Sequence, residues 1–98
     1  MNLAIGLRAE ASRDTEEARD YYDDKQSGLG QTFLKRVDEG LARIKFMPKL
    51  YGKTWGEVRA TRVRKFPYVI YYRILDDRIE VLAVMHGSRD SSAWQSRV

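Results

Sequence analysis

The sequence predicts an α+β domain with the element order β-α-α-β-β-β, a small antiparallel sheet packed on an N-terminal helix hairpin. Three observations predict it. Apolar residues recur at helical spacing through residues 11–22 and again through 33–44. A β-branched and aromatic run, Tyr68-Val69-Ile70-Tyr71-Tyr72-Arg73-Ile74, then replaces that period. Between the two halves, Pro48 and Tyr51-Gly52 mark where helix gives way to strand. With 98 residues, 43% of them hydrophobic, the chain can bury one core and is too short for two.

Leu3 to Arg8 is short and mixed, and reads as an edge strand. Asp14-Thr15-Glu16-Glu17 has the D-x-x-E form of a capping box, with Ser12 an equal candidate for the cap. Ala11, Thr15, Ala18 and Tyr22 form one stripe of the first helix. Lys25 to Gly30 is a break, whose Gly28 and Gly30 suit a tight connection. In the second helix Phe33, Leu34, Val37, Leu41 and Ile44 make the apolar face, opposite Lys35, Arg36, Asp38, Glu39 and Arg43. Pro48 stops it, since proline disfavours helix at the residue before it. Two helices joined so closely make an antiparallel hairpin.

Val58 to Val63 is β-permissive and heavily basic. Tyr68 to Ile74 has the near-continuous apolar run of a strand buried on both faces. Asp76-Asp77-Arg78 is a polar turn. Ile79 to Met85 follows, with Ile79, Val81, Ala83 and Met85 expected on one face. Asp90 to Arg97 reads as a short C-terminal helix capped by Asp90. No linker, repeat or low-complexity stretch intervenes, so residues 1–98 form one domain.

The absence of cysteine excludes a disulfide scaffold, a thiolate metal site and a cysteine nucleophile. A single histidine, His86, excludes a multi-histidine zinc site. No apolar run approaches the roughly 18–20 residues of a membrane span. Met1 to Arg8 lacks the basic-then-apolar pattern of a secretory signal, and the expected location is the cytoplasm. Net charge is +4, unevenly spread. Residues 1–24 carry a balance of −4, residues 25–65 a balance of +8, and residues 66–98 are neutral. The cationic middle third favours a polyanion or an acidic protein partner, or is simply a solvated basic face.

Four segments, taken in order, resemble a known family. They are E-A-R-D-Y-Y (Glu17–Tyr22), G-L-G-Q-T-F-L (Gly28–Leu34), V-R-A-T-R-V-R-K-F-P-Y-V-I-Y-Y-R (Val58–Arg73) and V-L-A-V-M-H-G-S-R-D-S-S-A-W (Val81–Trp94). The sequence resembles the ParE/RelE superfamily of toxins from type II toxin–antitoxin modules, in particular its ParE-like, plasmid-stabilisation branch. Ser91 stands where that family favours proline. The resemblance implies a β-α-α-β-β-β fold and a cognate antitoxin whose C-terminal segment wraps the toxin in a hetero-oligomer. It also implies one of two targets. ParE-like members inhibit DNA gyrase without known catalytic residues, whereas RelE-like members cut messenger RNA on the ribosome. Neither calls for a cofactor.

Cleaving RNA through its 2′-hydroxyl needs a base, an acid for the leaving oxygen, and cations on the phosphate. Glu57 is the candidate base, Arg59, Arg62 and Arg64 are candidate phosphate clamps, and His86 is the candidate acid. Strand alternation places Arg62 and Arg64 on one face, with Glu57, Arg59, Thr61 and Val63 on the other, which separates the set. The competing reading of His86 is structural, its ring donating to a backbone carbonyl or to Asp90. Arg89-Asp90 reads as a local ion pair and helix cap. The H-G-S-R-D ending of His86–Asp90 has the form of the gyrase-directed branch. On that reading Trp55, Arg59, Arg62, Arg64, Lys65 and Arg89 contact target or antitoxin. The catalytic alternative rests on Arg62, Arg64 and His86. Tyr68, Tyr71 and Tyr72 belong to the sheet core and Trp94 anchors the tail.

Overall fold

The computed structural model describes residues 3–98; Met1 and Asn2, the start of the N-terminal stretch, lie outside it. In chain order the elements are β1 (Ala4–Leu7), α1 (Ala9–Lys25), α2 (Leu29–Phe46), β2 (Lys53–Trp55), β3 (Val58–Arg62), β4 (Tyr68–Ile74), β5 (Arg78–His86) and α3 (Ser92–Gln95). The α+β class, the helix hairpin and the short terminal helix are as the sequence predicts. The sheet is mixed, however. Its order is β1-β5-β4-β3-β2, with β1 running parallel to β5 and the other pairs antiparallel. The intervening hairpin carries the chain across the sheet, so β1 and β5 can align in parallel at one edge. Lys53–Trp55 adds a short strand at the other edge, one strand more than the predicted element order contains.

The stripe Ala11, Thr15, Ala18 is buried, and the half-buried Tyr22 continues it. The capping box is not used. The helix begins at Ala9, and Asp14 sits one turn inside it, bonded elsewhere. A side-chain cap appears instead at the second helix, where Asp23 Oδ1 accepts from the amides of Gly28 (3.0 Å) and Gly30 (3.2 Å). Gly28 makes the turn at φ +88°, open to glycine at little cost. Gly30 has another role than the connection expected of it. It lies inside α2, where a Cβ would stand 2.6 Å from the Arg19 carbonyl oxygen, so glycine lets the helices touch.

The sheet separates two cores. Toward the helices, Phe33, Val37 and Ile44 pack on Ile70, Tyr72, Ile79, Val81 and Val84. On the far face Val58, Tyr71, Leu82, Ala83 and Met85 pack with Trp94 of α3. The strict alternation expected of β5 therefore fails. Tyr71 pairs with Ala83 and Tyr72 with Val81, leaving Leu82 as the extra residue of a β-bulge. Beyond that point the faces exchange, so Val84 joins the helix side and Ala83 and Met85 the far side.

Tyr72 is fully buried, and its hydroxyl donates to the Pro48 carbonyl at 2.6 Å, tying the end of α2 to the sheet. Burial pushes its pKa up to about 12. The folded state thus holds this proton where the unfolded chain, titrating near 10, has lost it. Stability is intact below pH 10 and falls as pH rises from 10 toward 12, by up to about 1.4 kcal/mol per pH unit. Tyr72→Phe should flatten that alkaline slope, while costing about 1 kcal/mol at neutral pH through the orphaned Pro48 carbonyl. Urea titrations at pH 7 and pH 11 read both effects.

Candidate functional site

The site lies at the end of the sheet where β3 turns into β4 and β5 runs out. Its footing is aromatic. Tyr22, Phe33, Phe66 and Tyr68 form a cluster with ring centroids 4.8–5.9 Å apart. Phe66 anchors the β3–β4 connection there, and the connection projects Arg64 and Lys65 into solvent. Lys65 has φ +69°, the one positive φ at a non-glycine among the described residues. Lysine in that region costs of order 1 kcal/mol relative to glycine, so a charged side chain is kept at the tip against local strain.

Arg62 is also exposed, and Arg43 donates to its carbonyl at 3.0 Å, holding the end of β3 against α2. Arg62, Pro67, Val69, His86, Gly87 and Ser88 line one open cleft of about 390 Å³. A second depression, lined in part by Glu17, Tyr21, Tyr68 and Arg89, shares His86 with the first. The histidine therefore stands between a cationic and a mixed-charge surface. Its Nδ1 accepts from the Ser88 amide at 3.0 Å and lies 2.7 Å from Ser88 Oγ. The structural reading foresaw a ring donating to a carbonyl or to Asp90; the polarity is the reverse. An accepted amide at Nδ1 leaves Nε2 as the protonated nitrogen of the neutral ring.

Arg89 and Asp90 form no ion pair. Asp90 caps α3 instead, accepting from the Ser92 amide at 2.9 Å, and that bond holds its carboxyl below the usual carboxylate range.

Glu57, the candidate base, occupies the β2–β3 turn and pairs with Lys53 at 3.0 Å. Five residues of extended chain separate it from Arg62, about 16 Å. Arg59 sits at the same remote end, donating to the carbonyls of Lys49 (3.3 Å) and Tyr51 (2.7 Å). Arg62 shares the far face of the sheet with Val58 and Ala60, whereas His86 lies edge-on to Tyr68 on the helix side. Arg64 is near enough to α2 to help lower the Glu39 pKa, behind the larger effect of the Arg36 hydrogen bond. The structure thus brings Arg62 and His86 to one cleft, and leaves Glu57 and Arg59 at the other end of β3.

Trp55, 44% exposed on β2, stands edge-on to Trp94 at 6.0 Å, and Trp94 stacks on Tyr71 at 4.3 Å. The tail anchor expected of Trp94 is thus present.

One constellation escaped the sequence. Arg97 donates to both carboxylate oxygens of Asp14 (2.6 and 3.1 Å) and to the Leu82 carbonyl, while the Val84 amide donates to Asp14. Asp14 holds the Arg97 pKa above its ordinary value. The pair spans 83 positions, and no local spacing announces it.

The end of the sheet thus displays exposed cations on an aromatic footing, and the sheet's β2 edge carries an exposed tryptophan. Residues 5–91 match the family model described as the ParE toxin of type II toxin–antitoxin system, parDE. Toxin ParE2 of Mycobacterium tuberculosis is 29% identical over 86 residues, covering 87% of this chain and 82% of the relative. Among solved structures, a mutant of E. coli toxin RelE in the free state superposes with TM-score 0.73 at 17% identity, over 99% of this chain and 94% of that one. A chromosomal ParDE system from P. aeruginosa gives 0.66 at 17% identity, over 86% and 95%. The YoeB dimer of Staphylococcus aureus gives 0.59 at 18%, over 85% and 94%. The shared fold follows from the structures and the family from the match along nearly all of the chain: this protein belongs to the ParE toxin family of type II toxin–antitoxin systems.

Proposed function

We propose that this protein is the toxin of a toxin–antitoxin module, that it arrests growth by binding DNA gyrase, and that a cognate antitoxin neutralises it. The observation that carries the reading is the dispersal of the catalytic candidates. Glu57 is paired with Lys53 at one end of β3, and His86 and Arg62 approach a common cleft at the other end from opposite faces. Acid–base cleavage needs these groups within hydrogen-bond reach of one phosphate. Binding needs only that they be displayed, and Arg62, Arg64, Lys65, Arg89 and Trp55 are all exposed. The relative named Toxin ParE2 supports the same branch.

Stoichiometric protein should inhibit the supercoiling of relaxed plasmid by gyrase. Arg62→Glu combined with Arg64→Glu should raise the concentration for half-inhibition by roughly tenfold or more, since reversing charges that face a partner costs several kcal/mol. A folded, toxic preparation with no effect on gyrase would sink the reading. One observation favours the alternative, messenger RNA cleavage on the ribosome: the cleft shared by Arg62 and His86. Under the gyrase reading His86→Ala keeps full toxicity. Under the ribosomal one it loses it.

A further inference from the structure

The end of α2 breaks the amphipathic pattern that the rest of the helix keeps. Phe33, Val37 and Ile44 are buried, but Phe46 (81% exposed), Met47 and Leu50 (62% exposed) face solvent within five positions. Half of the large apolar side chains exposed among the described residues fall here. Grouped apolar exposure marks an interaction site, whereas single exposed side chains are ordinary. The Tyr72 hydroxyl, bonded to the Pro48 carbonyl, pins this segment to the sheet and so holds the patch in place.

The patch forms one wall of an open groove of about 830 Å³, which Leu3, Ile74 and Leu75 also line. Two charged side chains complete the lining: Lys49 after α2, and Asp76 in the β4–β5 turn. Among the described residues neither has an ion-pair partner. Nearby, Lys53 is matched by Glu57 and Asp77 by Arg78.

A second copy of the chain is the occupant that this arrangement fits. In a two-fold interface the same patch meets itself, so it must be complementary to itself in shape and charge. Here an apolar ridge stands beside a groove, and the lining holds one charge of each sign. With the α2 end of one copy over the β4–β5 turn of the other, Phe46 enters the facing groove. Lys49 then meets Asp76 twice, once on each side of the axis. A bilayer fits less well, because its flat surface leaves the groove unfilled and its apolar layer would strip water from the Asp76 carboxylate.

We propose that this face is a homodimer interface, in which Phe46 and Leu50 of each copy fill the groove of the other and Lys49 pairs with Asp76 across the axis. The patch is small, so the interface belongs to the weak class that buries less than about 1,200 Å² in total, and the dimer forms at micromolar concentrations and above. The groove lies beside Ile74 at one end of β4, and the basic tip beside Tyr68 at the other. Six residue steps of strand, about 20 Å, separate them. The dimer therefore leaves both basic tips open and presents two per particle, whatever the tip binds.

Sedimentation equilibrium of the full chain, from micromolar to near-millimolar concentration, tests the pairing. Wild type should pass from monomer to dimer. Phe46→Asp and Leu50→Asp should each raise the dissociation constant by about tenfold or more. Lys49→Glu and Asp76→Lys each set like charges together twice, and each should weaken the dimer by about three- to tenfold. Mixed in equal amounts, these two variants should pair with each other more tightly than either pairs with itself, because both contacts are then opposite in sign. All four positions are exposed, so the variants should fold, and an unchanged melting curve verifies it.

A wild-type chain that stays monomeric throughout overturns the homodimer, whether the groove then takes a lipid vesicle or another protein. A dimer indifferent to Phe46→Asp and Leu50→Asp overturns it too, since the contact then lies elsewhere. So does a mixture of Lys49→Glu and Asp76→Lys that pairs no more tightly than its components. Each of these outcomes leaves the toxin–antitoxin reading standing.

Discussion

Phe33→Ala is expected to lower the melting temperature by about 15–25 °C. Phe33 is fully buried, and its ring lies within 5.1–5.4 Å of the Tyr22, Phe66 and Tyr68 rings. Truncating a buried phenylalanine costs about 3–5 kcal/mol, the lost transfer energy plus the cavity left behind. For a domain of nearly 100 residues each kcal/mol is worth about 5 °C. Thermal denaturation followed by circular dichroism measures the drop. The effect should extend past stability, because Phe66 fixes the connection that carries Arg64 and Lys65, and Tyr68 meets His86 at 5.6 Å. Amide exchange should therefore quicken through residues 63–67 before the sheet opens globally. A melting temperature within 5 °C of wild type would show that the aromatic cluster is not the footing described.

The second large effect is expected at Asp14. Its carboxylate accepts from both terminal guanidinium nitrogens of Arg97 and from the Val84 amide, and both side chains are less than one-fifth exposed. Asp14→Ala leaves a half-buried cation without its anion and an amide without its acceptor. Breaking a fully buried pair from one side costs about 3–5 kcal/mol, and partial exposure puts this one at the low end, about 3 kcal/mol. Converting both residues, Asp14→Leu with Arg97→Met, should recover much of the loss, because no lone charge then remains. The local signature is release of the tail: amide exchange at Val84 and through Ser92–Arg97 should rise together. Equal costs for the single and double replacements would show that the pair is not coupled.

The helices were legible from spacing alone, and the central strand from its residue types. The Ala11–Tyr22 stripe, the Phe33–Ile44 stripe and the stop before Pro48 each depend on residues within four positions of one another. Tyr68–Ile74 declared itself by composition, and Ser92–Gln95 by Asp90. Local rules failed where a side chain answered to a distant partner. Asp14 has the sequence of a cap and the position of an ion-pair partner for the tail. Gly30 reads as a turn residue, yet it is set by the closeness of a neighbouring helix. Leu82 sits in an unbroken apolar run, and only pairing with β4 makes it a bulge.

The site follows the same division. Sequence by itself determined the family, the basic middle third, the aromatic core of β4 and the residues that carry exposed charge. Tertiary structure decided how these residues combine. It sent Glu57 and Arg59 to one end of β3 and Arg62 to the other, turned His86 onto the Ser88 amide, and gathered Phe46, Met47 and Leu50 with Leu3 and Ile74 around a groove. The physical reason is that periodicity records which face of its own element a residue occupies. Sheet order, bulges and long-range ion pairs depend on contacts between distant positions, 83 apart for Asp14 and Arg97, and no local pattern encodes those.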